Sequence, residues 1–303
     1  MSAVNPDREM ALRPTDESFD ITVVIAVRNS AATIGQQLNA FTRQEWTGSW
    51  QVVVADNGSS DATVDIVQTF RDSIPQLRLL HATERPGAAY ARNAAASATR
   101  GRDLLFCDGD DVVADGWLAA MGHALSDHPL VCGPLAFDLL NESWLQTAFY
   151  STPPRQVERF EGIFPIAPSA NLGVRREAFE CVSGFDEAFL TGQDLDLCLR
   201  LWQLGLEMTW VPDAIVQYRY RSTMRSLWMR SLQYGQVAPA IVRRLRESEE
   251  PMPSRVKGLR NYLWLVRHLP DLRHRRGRAH WVVVAGNRVG RVLGSIKQRT
   301  LFL

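Results

Sequence analysis

The stretch "DLLFCDGDDVV", residues 103–113, carries four apolar residues straight into three aspartates, Asp108, Asp110 and Asp111. Carboxylates at that spacing repel one another, so either they lie at a solvated turn or a cation holds them together. What the neighbouring segments bring to the same place decides between the two.

Toward the N-terminus, apolar runs alternate with helical patterns. "ITVVIAV" (21–27) is a continuous run rich in β-branched residues, as expected of a strand covered on both faces, and "WQVVVAD" (50–56) and "LRLLHA" (77–82) follow it. Between the first two, Ile34, Leu38 and Phe41 recur at i, i+4, i+7, with Asn29 or Ser30 as the expected helix cap. "NGSSDATVDIVQTFRD" predicts a second helix capped by Ser60 or Asp61, and "GAAYARNAAASAT" a third, alanine-rich one. This rhythm predicts an α/β fold with a mostly parallel central sheet flanked by helices. In such sheets ligands bind at the carboxyl ends of the strands, where "RNS", "DNGSSD" and "DGDD" are expected to converge on one crevice.

Toward the C-terminus, residues 130–174 read as short strands and loops. "GQDLDLCLRLWQLG" places Leu195, Leu199 and Trp202 at helical spacing and ends at Gly205, and "LEMTWVPDAIVQYRY" predicts a further strand or two. A chain of 303 residues, 46% hydrophobic, can bury a substantial core. Its net charge of +1 conceals a segregation: from residue 251 onward twelve Lys and Arg face the single acid Asp271, a charge of +11 against −10 for the rest. Cys107, Cys132, Cys181 and Cys198 show no CxxC spacing, so neither a zinc site nor a disulfide framework is expected. Residues 1–19 read as a disordered leader unlike a signal peptide, and no apolar run reaches the roughly 18–20 residues of a membrane span. The expected location is the cytoplasm or, peripherally, the inner face of the cell membrane.

A D-x-D at a strand end offers hard oxygen ligands suited to Mg2+ or Mn2+, ions that usually complete their shell with water and substrate phosphates. Asp56 and Asn57 offer acceptors suited to the N3–H of uracil or thymine, while "NGSSD" is equally an Asx-turn leading into a helix. The series "VVIAVRN", "VVVADNGSSDAT", "RPGAAYARNAA", "LLFCDGDD", "SANLGVRREAFECVSGFDE" and "GQDLDLCLRLWQLG" resembles family 2 glycosyltransferases in order and spacing, over about residues 20–236. The resemblance implies the A-type glycosyltransferase fold, Rossmann-like in its sheet. It also implies a nucleotide-diphosphate sugar donor (UDP, or dTDP or GDP), a divalent metal and inversion at the anomeric centre.

Carried onto this sequence, the resemblance puts Asp56 and Asn57, with Val27 and Asn29 beside them, at the base-binding position. Arg92 and Asn93 match its "ARN" on the donor side, Asp108 and Asp110 its D-x-D, and Asp111 the following acid, with Asp110 and Asp111 as metal ligands. Asp194 falls at the catalytic base, and Asn171 and Gln193 on the acceptor side. The sequence departs from the family at three places. Asn57 stands for the commoner second acid, Gln193 for the glutamate before the base, and Tyr218 and Tyr220 occupy the region where a histidine is common, leaving Arg219 or Arg221 to cover phosphate.

The expected organisation is thus a leader, a catalytic domain over 20–236 with a nucleotide-binding half (about 20–115) and an acceptor half (116–236), and a basic helical extension over 237–303. In that extension Val256, Leu259, Leu263 and Val266, and then Ala285, Val289, Leu293 and Ile296, form apolar stripes flanked by arginines. These read either as helices packed on the catalytic domain or as a pair lying on an anionic membrane, the second favoured by the charge and by Trp264, Trp281 and Phe302. Nucleic acid is not an expected partner, since no reader motif accompanies the charge. The acceptor is a glycan, a lipid-linked sugar or a small molecule, and oligomerisation stays open. The rival readings are a sugar nucleotidyltransferase, which should carry a glycine-rich basic loop where "RNSAAT" stands, and a non-catalytic membrane scaffold.

Overall fold

The computed structural model describes residues 18–74, 76–149, 155–253 and 257–302. Most of the expected leader, and Val256 of the first tail stripe, lie outside them. The elements run β1 (Ile21–Val27), α1 (Ile34–Phe41), β2 (Trp50–Asp56), α2 (Thr63–Thr69), β3 (Leu77–His81), α3 (Ala88–Ser97) and β4 (Asp103–Asp108). They continue with β5 (Val112–Val113), α4 (Trp117–Asp127), β6 (Leu130–Cys132), β7 (Leu135–Ala136), α5 (Ser143–Phe149), β8 (Glu158–Phe160), β9 (Phe164–Ile166), β10 (Leu172–Arg175) and α6 (Arg176–Cys181). After α7 (Gln193–Gln203), β11 (Thr209–Trp210) and β12 (Val216–Gln217) come three helices, α8 (Met224–Glu247), α9 (Lys257–Arg267) and α10 (Arg275–Gln298).

The chain forms two units. The first runs through Ala136 and takes in Ala167–Tyr218; the second takes in the segment opening at Phe137, Glu158–Ile166 and Arg219–Leu303. The boundary expected at residue 237 falls inside α8, which continues through Gly235 and Pro239.

The first unit is built on a seven-stranded sheet in the order β11-β6-β10-β4-β1-β2-β3. β4, β1, β2 and β3 are mutually parallel, and β10 runs antiparallel between β4 and β6. A three-stranded sheet, β5-β12-β7, adjoins in sequence the ends of β4 and β6. β1 is buried along nearly its whole length because helices cover both faces, which is why its sequence is a continuous apolar run. Ile34, Leu38 and Phe41 of α1 are buried against Ile25, Val27 and Trp117, as their spacing predicts. In register, Val27 stands opposite Asp56, and Ala26 opposite Asp108, so the polar strand ends finish level with one another.

The expected helix caps are not formed. α1 begins after Thr33 without a side-chain cap, and α2 after Ala62. The polar residues instead tie two loops together. Asn29, in the left-handed region at φ 53°, donates its N–H to Ser59 Oγ (2.9 Å) and accepts from the Ser60 N–H through Oδ1 (2.8 Å). Ser30 donates its N–H to Thr63 Oγ1 (2.7 Å), and Asp61 Oδ2 accepts from the Ala31 N–H (3.1 Å). Asp61 serves both ends: its Oδ1 also accepts from the Thr63 N–H at the start of α2 (3.1 Å), and the cross-loop bonds form because β1 and β2 end side by side.

The second unit packs differently. Along α8 and α10, Trp228 meets Gly286, Leu232 meets Gly290 and Gln236 meets Gly294, so the two helices run parallel with a four-residue repeat. A Cβ on Gly290 would lie 2.2 Å from the Leu232 carbonyl oxygen; only glycine permits this backbone approach. A small apolar cluster of Leu145, Leu227 and Ala279 adds to it. The expected stripe on α10 is therefore only partly inward: Ala285 is buried, whereas Val289, Leu293 and Ile296 are exposed, Ile296 to 71%. Leu263 and Val266 of α9 are each 69% exposed. No helix among the described residues is long and apolar enough to cross a membrane.

Candidate active site

The site is assembled at the carboxyl edge of the first unit's sheet. Its centre is the turn after β4. A Cβ on Gly109 would lie 2.7 Å from Val27 Cγ1, so glycine alone lets this turn fold down beside the end of β1. Gln37, wholly buried on α1, holds the turn at both ends: its Nε2 donates to the Asp108 carbonyl (3.1 Å) and its Oε1 accepts from the Val113 N–H (2.9 Å). Val27 thus serves by packing and through its carbonyl, which accepts from the Asn57 N–H (2.8 Å).

Held in this way, Asp108, Asp110 and Asp111 present carboxylate oxygens within 4.8 Å of one another. Three hard oxygen donors at that separation match the preference of Mg2+ or Mn2+, and their mutual repulsion gives such an ion a further reason to bind. Cys107 directly behind them is not a competing ligand. Burial pushes its thiol well above the usual range, and the charges of Asp108 and Asp111 push it further.

Arg92 reaches the cluster from α3. It is 3% exposed, and its Nη2 donates to Asp108 Oδ1 at 2.6 Å, while Nε and Nη1 are buried without a partner. Its guanidinium lies 5.5 Å from the Phe185 ring centroid. Unpaired N–H groups on a buried cation are costly, and beside a candidate metal cluster they match the oxygens of a phosphate. Asn93, next in sequence, points elsewhere: it accepts from the Phe185 N–H (2.9 Å) and donates to the Phe185 carbonyl (2.8 Å) and to Glu187 Oε1 (3.1 Å).

At the end of β2, Asp56 is almost wholly buried and accepts from the Ser59 N–H through both oxygens (3.1 and 3.3 Å), with His81 Nδ1 3.8 Å away. Asn57 is turned to its own chain. Nδ2 donates to the carbonyls of Ala82 (2.5 Å) and Arg85 (2.8 Å), and Oδ1 accepts from the Gly87 N–H (2.8 Å). Its amide shapes the 82–87 loop that leads into α3 and Arg92.

Asp194 sits in the first turn of α7, which starts from Gly192 in the left-handed region. Oδ1 accepts from the Leu195 N–H (2.8 Å) and Oδ2 from the Ser169 N–H (3.4 Å). Desolvation raises its pKa above the ordinary aspartate value. The Leu195 hydrogen bond, the charge of Arg92 and the Ser169 bond oppose this, and the Asp108 charge adds to it. Asp194 thus shares an electrostatic environment with Arg92 and with Asp108 of the acidic cluster. Gln193 beside it has a buried Oε1 without a partner.

Asn171, expected on the acceptor wall, is instead wholly buried. It accepts from Trp117 Nε1 (2.8 Å) and donates to the carbonyls of Pro134 (3.0 Å) and Ala214 (2.7 Å). The start of α4 and the segments around Pro134 and Ala214 converge there, and one amide ties all three together. Gln37 holds the acidic turn yet is not singled out by the sequence patterns, although a polar residue on the inward face of an otherwise apolar helix is a usable signal.

The "Glycosyl transferase family 2" model matches residues 22–183, more than half of the chain, and the "Glycosyl transferase family group 2" model matches 104–281. The chain belongs to glycosyl transferase family 2. The pre-mycofactocin glycosyltransferase of Mycobacterium tuberculosis is 26% identical over 90% of this chain and 58% of its own length. The glycosyltransferase AglE of Haloferax volcanii is 30% identical over 64% of this chain and 65% of its own. This family 2 chain therefore spans about six-tenths of the length of these relatives. Among solved structures, the mannosyltransferase PcManGT from Pyrobaculum calidifontis, in complex with GDP-Man and Mn2+, superposes with a TM-score of 0.62 at 16% identity, covering 92% of this chain and 88% of that one. At that identity the likeness establishes the A-type fold.

Proposed function

We propose that the protein transfers a glycosyl group from a nucleoside-diphosphate sugar to an acceptor hydroxyl with inversion, assisted by Mg2+ or Mn2+. The observation that carries this reading is the gathering of Asp108, Asp110, Asp111, Arg92 and Asp194 around one strand end. Asp110 and Asp111, with Asp108, would hold the ion, which would neutralise the diphosphate as it departs. Asp56, at the end of β2, is the candidate contact to the base. Asn29, Asn57 and Asn93 support the donor pocket by fixing its loops.

Asp194 takes the proton of the acceptor hydroxyl, and that oxygen attacks the anomeric carbon. The bond from that carbon to the diphosphate oxygen breaks, and the electron pair leaves with the diphosphate. Arg92, with Nε and Nη1 unpaired, stabilises the charge that accumulates on those oxygens. The raised pKa of Asp194 makes it a better base than a solvated aspartate. Gln193 in place of a second acid avoids a like charge beside the base.

The test is Asp194→Asn with a panel of UDP-, dTDP- and GDP-sugars. Turnover should fall at least about 100-fold, the low end of general-base effects. Mn2+-dependent thermal stabilisation by the preferred donor should persist. Near-normal turnover would remove Asp194 from the mechanism.

A second reading concerns location. Exposed Leu263, Val266, Val289, Leu293 and Ile296 in a segment of charge +11 support peripheral attachment to an anionic membrane, and with it a lipid-linked acceptor.

A further inference from the structure

The second unit contains a buried cationic group that glycosyl transfer leaves unexplained. Arg288, on α10, is 8% exposed, and its Nε and Nη1 are buried without a partner. One turn further, Arg291 gives its Nη2 to Glu161 Oε1 (3.0 Å) and lies over the Phe302 ring, 4.5 Å from its centroid, yet its Nε is also buried and unpaired. The hydroxyl of Tyr262, on α9, is a fourth buried polar atom without a partner. Arg288 is within electrostatic reach of Arg291, Tyr262 and Glu161. Burial, and then the charge of Arg291, lower the pKa of Arg288 to about 10, which leaves it a cation at neutral pH.

Two guanidinium groups on one face of α10 thus have one carboxylate near them, that of Glu161, which is hydrogen-bonded to Arg291, and three N–H nitrogens and one hydroxyl remain unpaired. A buried cation in that state is costly unless something completes it. What would complete it is an anion with several oxygens spread over one centre. Guanidinium forks match phosphate in this way, and one negative charge balances the excess. The same signature, a buried arginine whose Nε and Nη1 lack partners, marks Arg92 in the first unit, where a diphosphate is the proposed ligand.

We propose that Arg288, Arg291 and the Tyr262 hydroxyl form a binding site for a phosphoryl oxyanion, separate from the donor site. The phosphate can come from a lipid headgroup or from a free phosphate. The lipid source is encouraged by the apolar stripe Val289, Val292, Leu293 and Ile296 that the same helix exposes.

The experiment compares wild type with Arg288→Met, which keeps an unbranched side chain of similar reach and removes the fork. Inorganic phosphate, against chloride at matched ionic strength, should raise the Tm of the wild type in a concentration-dependent way, and the part of that rise due to this site should vanish in R288M. In the second arm, partition onto vesicles of phosphatidylglycerol and phosphatidylcholine is measured at fixed salt. If the source is a headgroup, R288M should bind vesicles about 10-fold more weakly or worse, the scale of one lost charge-assisted hydrogen bond. A phosphate effect with unchanged vesicle binding assigns the site to free phosphate. Equal responses of wild type and R288M in both arms overturn the proposal. Should R288M not fold, Tyr262→Phe, which removes one oxygen and no charge, takes its place in both arms: a weaker response than wild type supports the site, and an equal one overturns it.

Discussion

The two units each bury an arginine with two unpaired nitrogens, but the surroundings that hold those arginines differ in kind. In the first unit, Arg92 has an ion pair to Asp108, and amides fix the loops around it: Asn57 holds 82–87, Asn93 holds 185–187, and Gln37 holds the 108–113 turn. The core beneath is branched aliphatic and aromatic, from Ile21 to Trp117. In the second unit the backbones of α8 and α10 touch through glycines, α10 turns Val289, Leu293 and Ile296 outward, and Glu161, whose charge acts on Arg288, is hydrogen-bonded to Arg291. A sheet unit with a dense side-chain core can place polar groups to fine tolerance on strand ends. A helix pair joined by glycines is held by backbone approach on that seam, with the side-chain core left to the later turns of α8, where Ile241, Val242 and Leu245 are buried.

The contrast can be broken or sharpened at several points. The largest effect is expected at Arg92: Arg92→Met should lower kcat/KM about 100-fold or more, the scale of a lost group that stabilises transition-state charge. It should also weaken donor-induced stabilisation, and a merely structural arginine would lower Tm without that selective loss.

Asn171→Ala should come next. It removes the partner of the Trp117 indole N–H and of the Ala214 carbonyl in a wholly buried place, while the Pro134 carbonyl keeps the Val216 N–H, a cost of about 2 kcal/mol or more, measurable by denaturant unfolding. A loss below about 1 kcal/mol would mean that water replaces the amide, and the first unit would be less tightly determined than its geometry implies.

In the second unit, Gly290→Ala should cost about 1–3 kcal/mol, because the new Cβ would force α8 and α10 apart. An unchanged unfolding midpoint would show that the helix pair yields easily.

The smallest effect is in pH dependence. The folded pKa of Asp194 lies above its ordinary value, so the native state binds the extra proton and its contribution to stability is present below that ordinary value. It is lost as pH rises from the ordinary value through the raised one. Asp194→Asn should therefore abolish the fall of stability over that window, followed by unfolding at stepped pH. The wild-type activity should instead rise over the same window as the base deprotonates.

Much of the first unit was legible in the sequence because its signals are local. β1, β2 and β4 coincide with the apolar runs 21–27, 50–56 and 103–108, since a strand covered on both faces must be continuously apolar. The acidic turn was equally plain, because three aspartates after such a run have few physical explanations. Asn57, Asn93 and Asn171 were not legible as clamps. An asparagine that faces a ligand and one that binds three carbonyl or amide groups of its own chain look alike until the loops have been brought together.

The sequence by itself determined the parallel sheet, the positions of its polar strand ends and the charge segregation between body and tail, all of which follow from periodicity and composition. Tertiary structure alone decided which partners the polar residues take: Asn29 laces two loops instead of capping a helix, Asp61 reaches across to the Ala31 N–H as well as to Thr63, and Asn171 turns inward. It also decided that α10 packs through Gly286, Gly290 and Gly294 and turns Val289, Leu293 and Ile296 outward. The reason is one of range. Hydrophobic periodicity is written along a single segment, whereas a hydrogen-bond partner or a backbone contact belongs to two segments far apart in the chain, and only their meeting selects it.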